Sequence, residues 1–89
     1  MDNITQSMVV YLTPEAQRES DDLPFTMQAR LDDIIARLER WPSVSGYKAL
    51  TGGWRGHYRI RMGDWRVIFQ VVAPAVIVVR IAHRSKVYE

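Results

Sequence analysis

The sequence predicts an α+β domain: an antiparallel sheet of about four strands, in the order β-α-α-β-β-β, with two helices packed on one face. Three observations predict it. Gly63-Asp64 is a two-residue turn signal with strictly alternating residues on both sides, the mark of a β-hairpin. Apolar residues recur at helical spacing between Met27 and Trp41. The run VIVVRIA at residues 76–82 is the most apolar strand. At 89 residues with 47% apolar composition, residues 1–89 make one domain with a modest core that needs no covalent staples.

Residues 8–12 (MVVYL) form a β-branched and aromatic run that reads as a strand. Thr13 then caps a helix whose first position suits Pro14, and this weakly amphipathic helix runs to about residue 22. Leu23-Pro24 punctuates it. The second helix carries Met27, Leu31, Ile34, Ile35, Leu38 and Trp41 on one stripe, with Asp32, Asp33, Arg37 and Arg40 opposite, and Pro42 ends it. Residues 43–46 link to a short extended segment at 47–50 that carries Lys48. Thr51-Gly52-Gly53 is a turn, and the first hairpin strand begins near Trp54 or Arg55.

With Gly63 and Asp64 in the turn, Met62 pairs with Trp65, Arg61 with Arg66, Ile60 with Val67 and Arg59 with Ile68. Cross-strand partners share a face. Tyr58, Ile60, Met62, Trp65, Val67 and Phe69 therefore point to the core. His57, Arg59, Arg61, Arg66 and Gln70 point away from it, with Ile68 as the one apolar member. Arg61 directly opposite Arg66 costs something like ~0.2–1 kcal/mol in the absence of an anion. A face that accepts this cost suits phosphate, although the spacing equally fits a plain solvated face. After the turn at residues 73–75, a three-residue loop puts Val76 opposite Val72, Arg80 opposite Ile68 and Ala82 opposite Arg66. This register keeps Ile77, Val79 and Ile81 on the core face and avoids burying Arg80 without a partner.

Charge is segregated. Residues 1–45 carry a balance of −4 and residues 46–89 one of +6, so the net +2 conceals a basic C-terminal half that should attract polyanions, nucleic acid first. The absence of cysteine excludes disulfides, a thiol nucleophile and a zinc ribbon. Two histidines without clustered carboxylates argue against a metal site, and no cofactor is expected. No apolar run approaches the roughly 20 residues of a membrane span. The N-terminus MDNITQSM lacks the basic-then-apolar order of a signal peptide. A cytoplasmic protein with no membrane partner is the expectation.

The run YRIRMGDWRVIFQ from Tyr58 to Gln70, the apolar strand after it and the ending IAHRSKVYE resemble the RelE/ParE superfamily of toxins from bacterial type II toxin–antitoxin operons. The closing HRSKVY is closer to the RelE branch. The order of a strand, TPEA opening a helix, then LP and a second helix fits as well, so the resemblance covers nearly the whole chain.

The resemblance implies a ribosome-dependent endoribonuclease that cuts messenger RNA without metal. The ribose 2′-hydroxyl attacks the adjacent phosphate and leaves a cyclic phosphate and a free 5′-hydroxyl. Such a site needs a base, cations for the charged transition state, and an acid for the leaving oxygen. Carried over by position, Arg59 and Arg61 match basic residues on the first hairpin strand, and Arg66 matches the arginine on the second. Tyr88 matches the C-terminal tyrosine, Arg84 lies in the terminal basic cluster, and Lys48 matches a basic residue found before the hairpin in some members. RelE has lysines where this chain has Arg59 and Arg61, and arginine is a poor proton acceptor. His83 and His57 titrate near neutrality and could supply the missing base or acid; His83, on core parity, equally reads as a hydrogen-bonded strand-end residue. Lys48, Arg55, His57, Arg80 and Lys86 complete the expected RNA-binding set.

Two alternatives stand beside this reading: a ParE-like inhibitor of DNA gyrase, and a non-catalytic RNA-binding toxin homologue, which the absent lysine base favours. The implied partners are a cognate antitoxin with an acidic, partly disordered segment, the ribosome with its mRNA, and operator DNA only through the antitoxin.

Overall fold

The computed structural model of the chain describes residues 7–89; most of the stretch read above as lacking a signal-peptide order lies outside the described residues. The elements follow as β1 (Val9–Leu12), α1 (Pro14–Asp21), α2 (Phe25–Leu38), β2 (Tyr47–Ala49), β3 (Tyr58–Met62), β4 (Trp65–Val72) and β5 (Ala75–His83). The sheet has five strands in the order β1-β5-β4-β3-β2. The fold class is the expected α+β, with two corrections. The segment 47–49 pairs with β3 as a full fifth strand, and β1 joins β5 in parallel, so the sheet is mixed.

The helix starts follow from local chemistry. Thr13 is the N-cap of α1, its hydroxyl accepting the Ala16 N–H at 3.1 Å, with Pro14 following it. α2 ends at Leu38, three residues before Trp41. The residue before a proline is steered away from helical backbone, and the chain turns before reaching Pro42. Trp41 still reaches the core, its ring 4.6 Å from Tyr47, 4.9 Å from Tyr58 and 5.5 Å from Phe69. β3 starts at Tyr58, later than the sequence suggested, because Gly52–Trp54 forms a 3-10 turn and Gly56 takes a φ of +90°.

Both helices cover one sheet face. Ala16, Leu31, Ile34 and Leu38 meet Ile60, Met62, Val67, Phe69, Val76, Val78 and Ile81 in a single core. Each fully buried large side chain there contributes about 1.5–3 kcal/mol.

The β3–β4 hairpin has the expected register, Met62 opposite Trp65 through Tyr58 opposite Phe69. The β4–β5 connection differs. Val72 pairs with Ala75 across a two-residue loop, so Val76 and Val78 face the core and Ile77 lies opposite Gln70 on the other side. Strict alternation would then bury Arg80. A bulge opposite the Ile68/Phe69 step resets the parity, leaving Arg80 opposite Ile68, Ile81 opposite Val67 and Ala82 opposite Arg66. Val79 packs with Ile68 rather than with the helices. The cost of a buried arginine was the correct constraint, and the chain meets it by a bulge instead of a longer loop.

The outer face is not simply open. Ile68, Ala82 and Val87 form a second small core with Leu50, Trp54 and Val79 against it. Ile68 and Val87 are both fully buried. The C-terminal turns and the 3-10 turn close over that part of the sheet.

Candidate nucleic-acid interface

The outer face is built from two cross-strand rows. Lys48, Arg59, Ile68 and Arg80 lie side by side across β2, β3, β4 and β5. The next row holds Arg61, Arg66 and Ala82. Residues opposite each other share a face, as do residues two apart on a strand. Lys48, Arg59, Arg61 and Arg66 are thereby adjacent.

Arg66 folds toward the hairpin tip, where one guanidinium nitrogen donates to the carbonyls of Gly63 and Trp65, each at 2.9 Å. Burial, and after it the positive charges of Arg61 and Arg59, push its pKa below the ordinary arginine value; Tyr88 acts in the opposite sense and Arg84 adds to the lowering. It remains a cation at neutral pH.

Arg84 is held near the hairpin tip by its backbone N–H, which donates to the Asp64 carbonyl at 2.8 Å, and its Nε lies 3.9 Å from the Asp64 carboxylate. Tyr88 follows the buried Val87 and stands half exposed, its ring 6.3 Å from Trp54. Val87 thus acts as a plug that sets where Tyr88 can reach.

The remaining sequence candidates are spread around this centre. His57 lies edge-on to Trp54 at 5.2 Å, with Nδ1 buried and without a hydrogen-bond partner. Arg55 is exposed on the turn after Trp54. Arg80 is engaged elsewhere: its Nε is 3.3 Å from the Glu19 carboxylate and a terminal nitrogen donates to the Glu89 carbonyl at 2.7 Å. Its role here is to hold α1 and the C-terminal turns together.

His83 pairs with Trp65, on the parity that faces away from the arginines, and its Nδ1 accepts the Ser85 N–H at 3.2 Å. With Lys86, Trp65, Arg80 and Ala82 it lines a cleft of about 260 Å³ beside Glu19 and Asp22, whose lining does not include Arg59, Arg61 or Arg66. The structure therefore brings Arg59, Arg61, Arg66, Lys48, Arg84 and Tyr88 into one region and leaves His83 and Lys86 outside it. Among the described residues, no three His, Asp or Glu side chains are grouped so as to hold a metal ion. No helix there is long and apolar enough to cross a membrane.

Sequence reasoning did not foresee the contribution of α2. Arg37 lines a cleft of about 500 Å³ together with Tyr47, Lys48, Arg59 and Arg61. Its place on the polar side of the helix was legible; that this side meets the open edge of β3 was not.

The model of the ParE toxin of type II toxin–antitoxin systems, parDE, matches residues 10–88, and the chain belongs to this family, within the RelE/ParE superfamily. Among solved structures it is similar to the RelBE2 toxin–antitoxin complex from Mycobacterium tuberculosis, with 25% identity, a TM-score of 0.76, and 88% of this chain and 99% of that one covered. A RelE–RelB complex from Pyrococcus horikoshii matches at 23% identity and a TM-score of 0.75, over 90% of this chain and 98% of that one. A YoeB/ParE toxin from Agrobacterium tumefaciens matches at 18% identity and 0.76, over 85% and 98%. The last two likenesses establish the fold alone. No curated protein matches the chain.

Proposed function

We propose that this toxin is a ribosome-dependent, metal-independent mRNA endonuclease of RelE type, acting in the cytoplasm by 2′-hydroxyl attack. The observation that carries the reading is the pair of adjacent rows, Lys48–Arg59 and Arg61–Arg66, beside Tyr88. Three arginines on neighbouring positions of a sheet, with Lys48 beside them, form a preset clamp for a phosphodiester, whose charge grows in the transition state. Arg66, with its guanidinium steadied on two carbonyls, is the transition-state stabiliser. Arg59 and Arg61 hold the flanking oxygens, Arg84 contributes charge from the tail, and Tyr88 stacks on a base or orients the 2′-hydroxyl. Lys48 is the one lysine in the rows; in its deprotonated form it takes the 2′-hydroxyl proton and is the base in this scheme, a role the sequence alone did not suggest for it, while water protonates the 5′-oxygen as the P–O5′ bond breaks.

The test is primer extension on a defined mRNA, with and without 70S ribosomes, for the wild type and Arg66→Ala in EDTA. Cleavage that needs ribosomes, tolerates EDTA and vanishes in the variant is the expected result. A folded wild type that cleaves under no condition overturns the reading.

The match to the ParE model favours a second reading, inhibition of DNA gyrase. A supercoiling assay distinguishes it, since gyrase inhibition that survives Arg66→Ala requires no phosphate clamp.

The relatives solved as toxin–antitoxin complexes support a cognate antitoxin for this chain. The surface offers such a partner a basic end and an apolar one, where Val9, Tyr11 and Val72 are exposed. An acidic, partly disordered segment suits the basic end. Operator DNA is contacted through the antitoxin. Co-purification of the two proteins tests the pairing.

A further inference from the structure

Arg30 and Arg37 lie seven residues apart on α2, two turns along one helix face and about 10 Å apart along its axis. Both border the end of the sheet where β3 runs past its neighbour. β2 pairs with β3 only as far as Ile60, so Arg61 stands at an open edge. A cleft of about 290 Å³ there is lined by Arg30, Asp33, Arg37 and Arg61. The larger cleft beside it shares Arg37 and Arg61 and adds Lys48 and Arg59.

The two clefts therefore form one groove that runs from the outer sheet face, around the β3 edge, to α2. Both helix arginines reach glycines of the neighbouring turns, and the Gly63 contact is the close one. A β-carbon on Gly63 would lie 3.0 Å from an Arg30 guanidinium nitrogen, and one on Gly46 would lie 3.8 Å from that of Arg37.

Five cations line this groove against the single carboxylate of Asp33. A solvated helix face would use Asp33, at three and four residues from the two arginines, to pair with them. Instead, among the described residues the ion pairs are Arg80–Glu19 and Arg84–Asp64, and Arg37 donates to the Ser45 carbonyl at 2.8 Å.

We infer that Arg30 and Arg37 extend the substrate site: the groove is a backbone track for single-stranded RNA that carries the phosphates next to the scissile one around the sheet edge. This inference rests on the ribonuclease reading for the identity of its ligand. RNA is favoured over an acidic polypeptide because the track is continuous with the phosphate clamp through Arg61 and Arg59, and because its lining is cationic with Tyr47 as its one aromatic. A linear polyanion with evenly spaced charges fits such a lining.

The experiment measures binding of a fluorescent 12-nucleotide single-stranded RNA, made uncleavable by 2′-O-methyl groups, across a salt series. The proteins are the wild type, Arg30→Gln/Arg37→Gln, and Arg18→Gln/Arg40→Gln, which removes the same charge away from the groove. Arg37→Lys keeps a charge at the loop contact and guards against a folding defect, and melting curves accompany each protein.

The expected result is roughly tenfold weaker binding for the groove pair, with the salt slope reduced by about 1.4 for two lost phosphate contacts, and near wild-type binding for the control pair. Equal losses in both pairs, no loss in either, or no RNA binding by the wild type overturns the inference. So does a poly-glutamate peptide that binds in an Arg37-dependent way where RNA does not. Ribosome-dependent cleavage is scored separately: its absence, with groove-dependent RNA binding retained, removes the nuclease reading and the scissile phosphate with it, and leaves the groove as an RNA-binding track alone.

Discussion

Arg61 and Arg66 lie directly opposite each other across the β3–β4 hairpin, and Arg66 is turned onto the Gly63 and Trp65 carbonyls at 2.9 Å. Two like charges at this position destabilise the free protein. Arg61→Gln should therefore raise stability by about 0.2–1 kcal/mol while lowering toxicity. Urea melts paired with growth curves after induction check both halves. A variant less stable than the wild type would mean that the opposition is already relieved.

Arg66→Ala should abolish cleavage yet cost only about 1 kcal/mol, since it removes hydrogen bonds to carbonyls that water can reach. The depressed pKa of Arg66 means that folding disfavours its charged form. That penalty is present at every pH below the folded-state pKa and is relieved only as pH rises through it, far into the alkaline range. The stability difference between wild type and variant should accordingly stay flat between about pH 5 and pH 9. Denaturant melts at several pH values check this.

Lys48 pairs with Arg59 on the basic face. Lys48→Arg, which keeps a basic side chain of similar reach and removes the proton acceptor, should reduce the cleavage rate by roughly 10²–10⁴ with little change in ribosome affinity. Single-turnover cleavage on pre-bound ribosomes separates the two. A rate near wild type would return the search for the base to His57.

Val87 is fully buried against Ile68 and Ala82 and is followed by the half-exposed Tyr88. Val87→Ala should cost about 1–3 kcal/mol. At temperatures where the fold persists, it should impair cleavage as Tyr88→Ala does, by releasing the tail. Comparing the two variants by thermal melts and primer extension tests the anchoring role.

Glu19 accepts the Ile81 N–H at 2.7 Å, on the part of β5 that runs past its pairing with β1, and its other carboxylate oxygen lies 3.3 Å from Arg80 Nε. Glu19→Ala leaves both donors without that partner and should destabilise by about 1–3 kcal/mol. A double-mutant cycle with Arg80→Ala should show coupling. Additive losses would assign Arg80 to the tail alone.

Much of this arrangement was legible because its determinants are local. The Gly63-Asp64 turn sets the hairpin register, and with it the division between Tyr58, Ile60, Met62, Trp65, Val67 and Phe69 inside and Arg59, Arg61 and Arg66 outside. Thr13-Pro14 set the start of α1. His83 has the expected parity, away from the arginines, but reaches it through a two-residue loop and a bulge rather than through the three-residue loop expected.

What depended on contacts between distant residues could not be counted. The bulge before Arg80 is chosen by the cost of burying its charge against the gain of burying Val76 and Val78. Short β2 becomes a strand only because β3 offers it an unpaired edge and Tyr47 packs on Trp41 and Tyr58. Sequence by itself determined which residues are cationic and which faces of the β3–β4 hairpin carry them, because alternation is a property of the backbone. Only the tertiary structure decided that Lys48 stands beside Arg59, that Arg80 is held by Glu19, and that α2 brings Arg30 and Arg37 to the same groove as Arg61. Those neighbours are made by packing an amphipathic helix on a sheet, and the energy that selects them belongs to the assembled core rather than to any one segment.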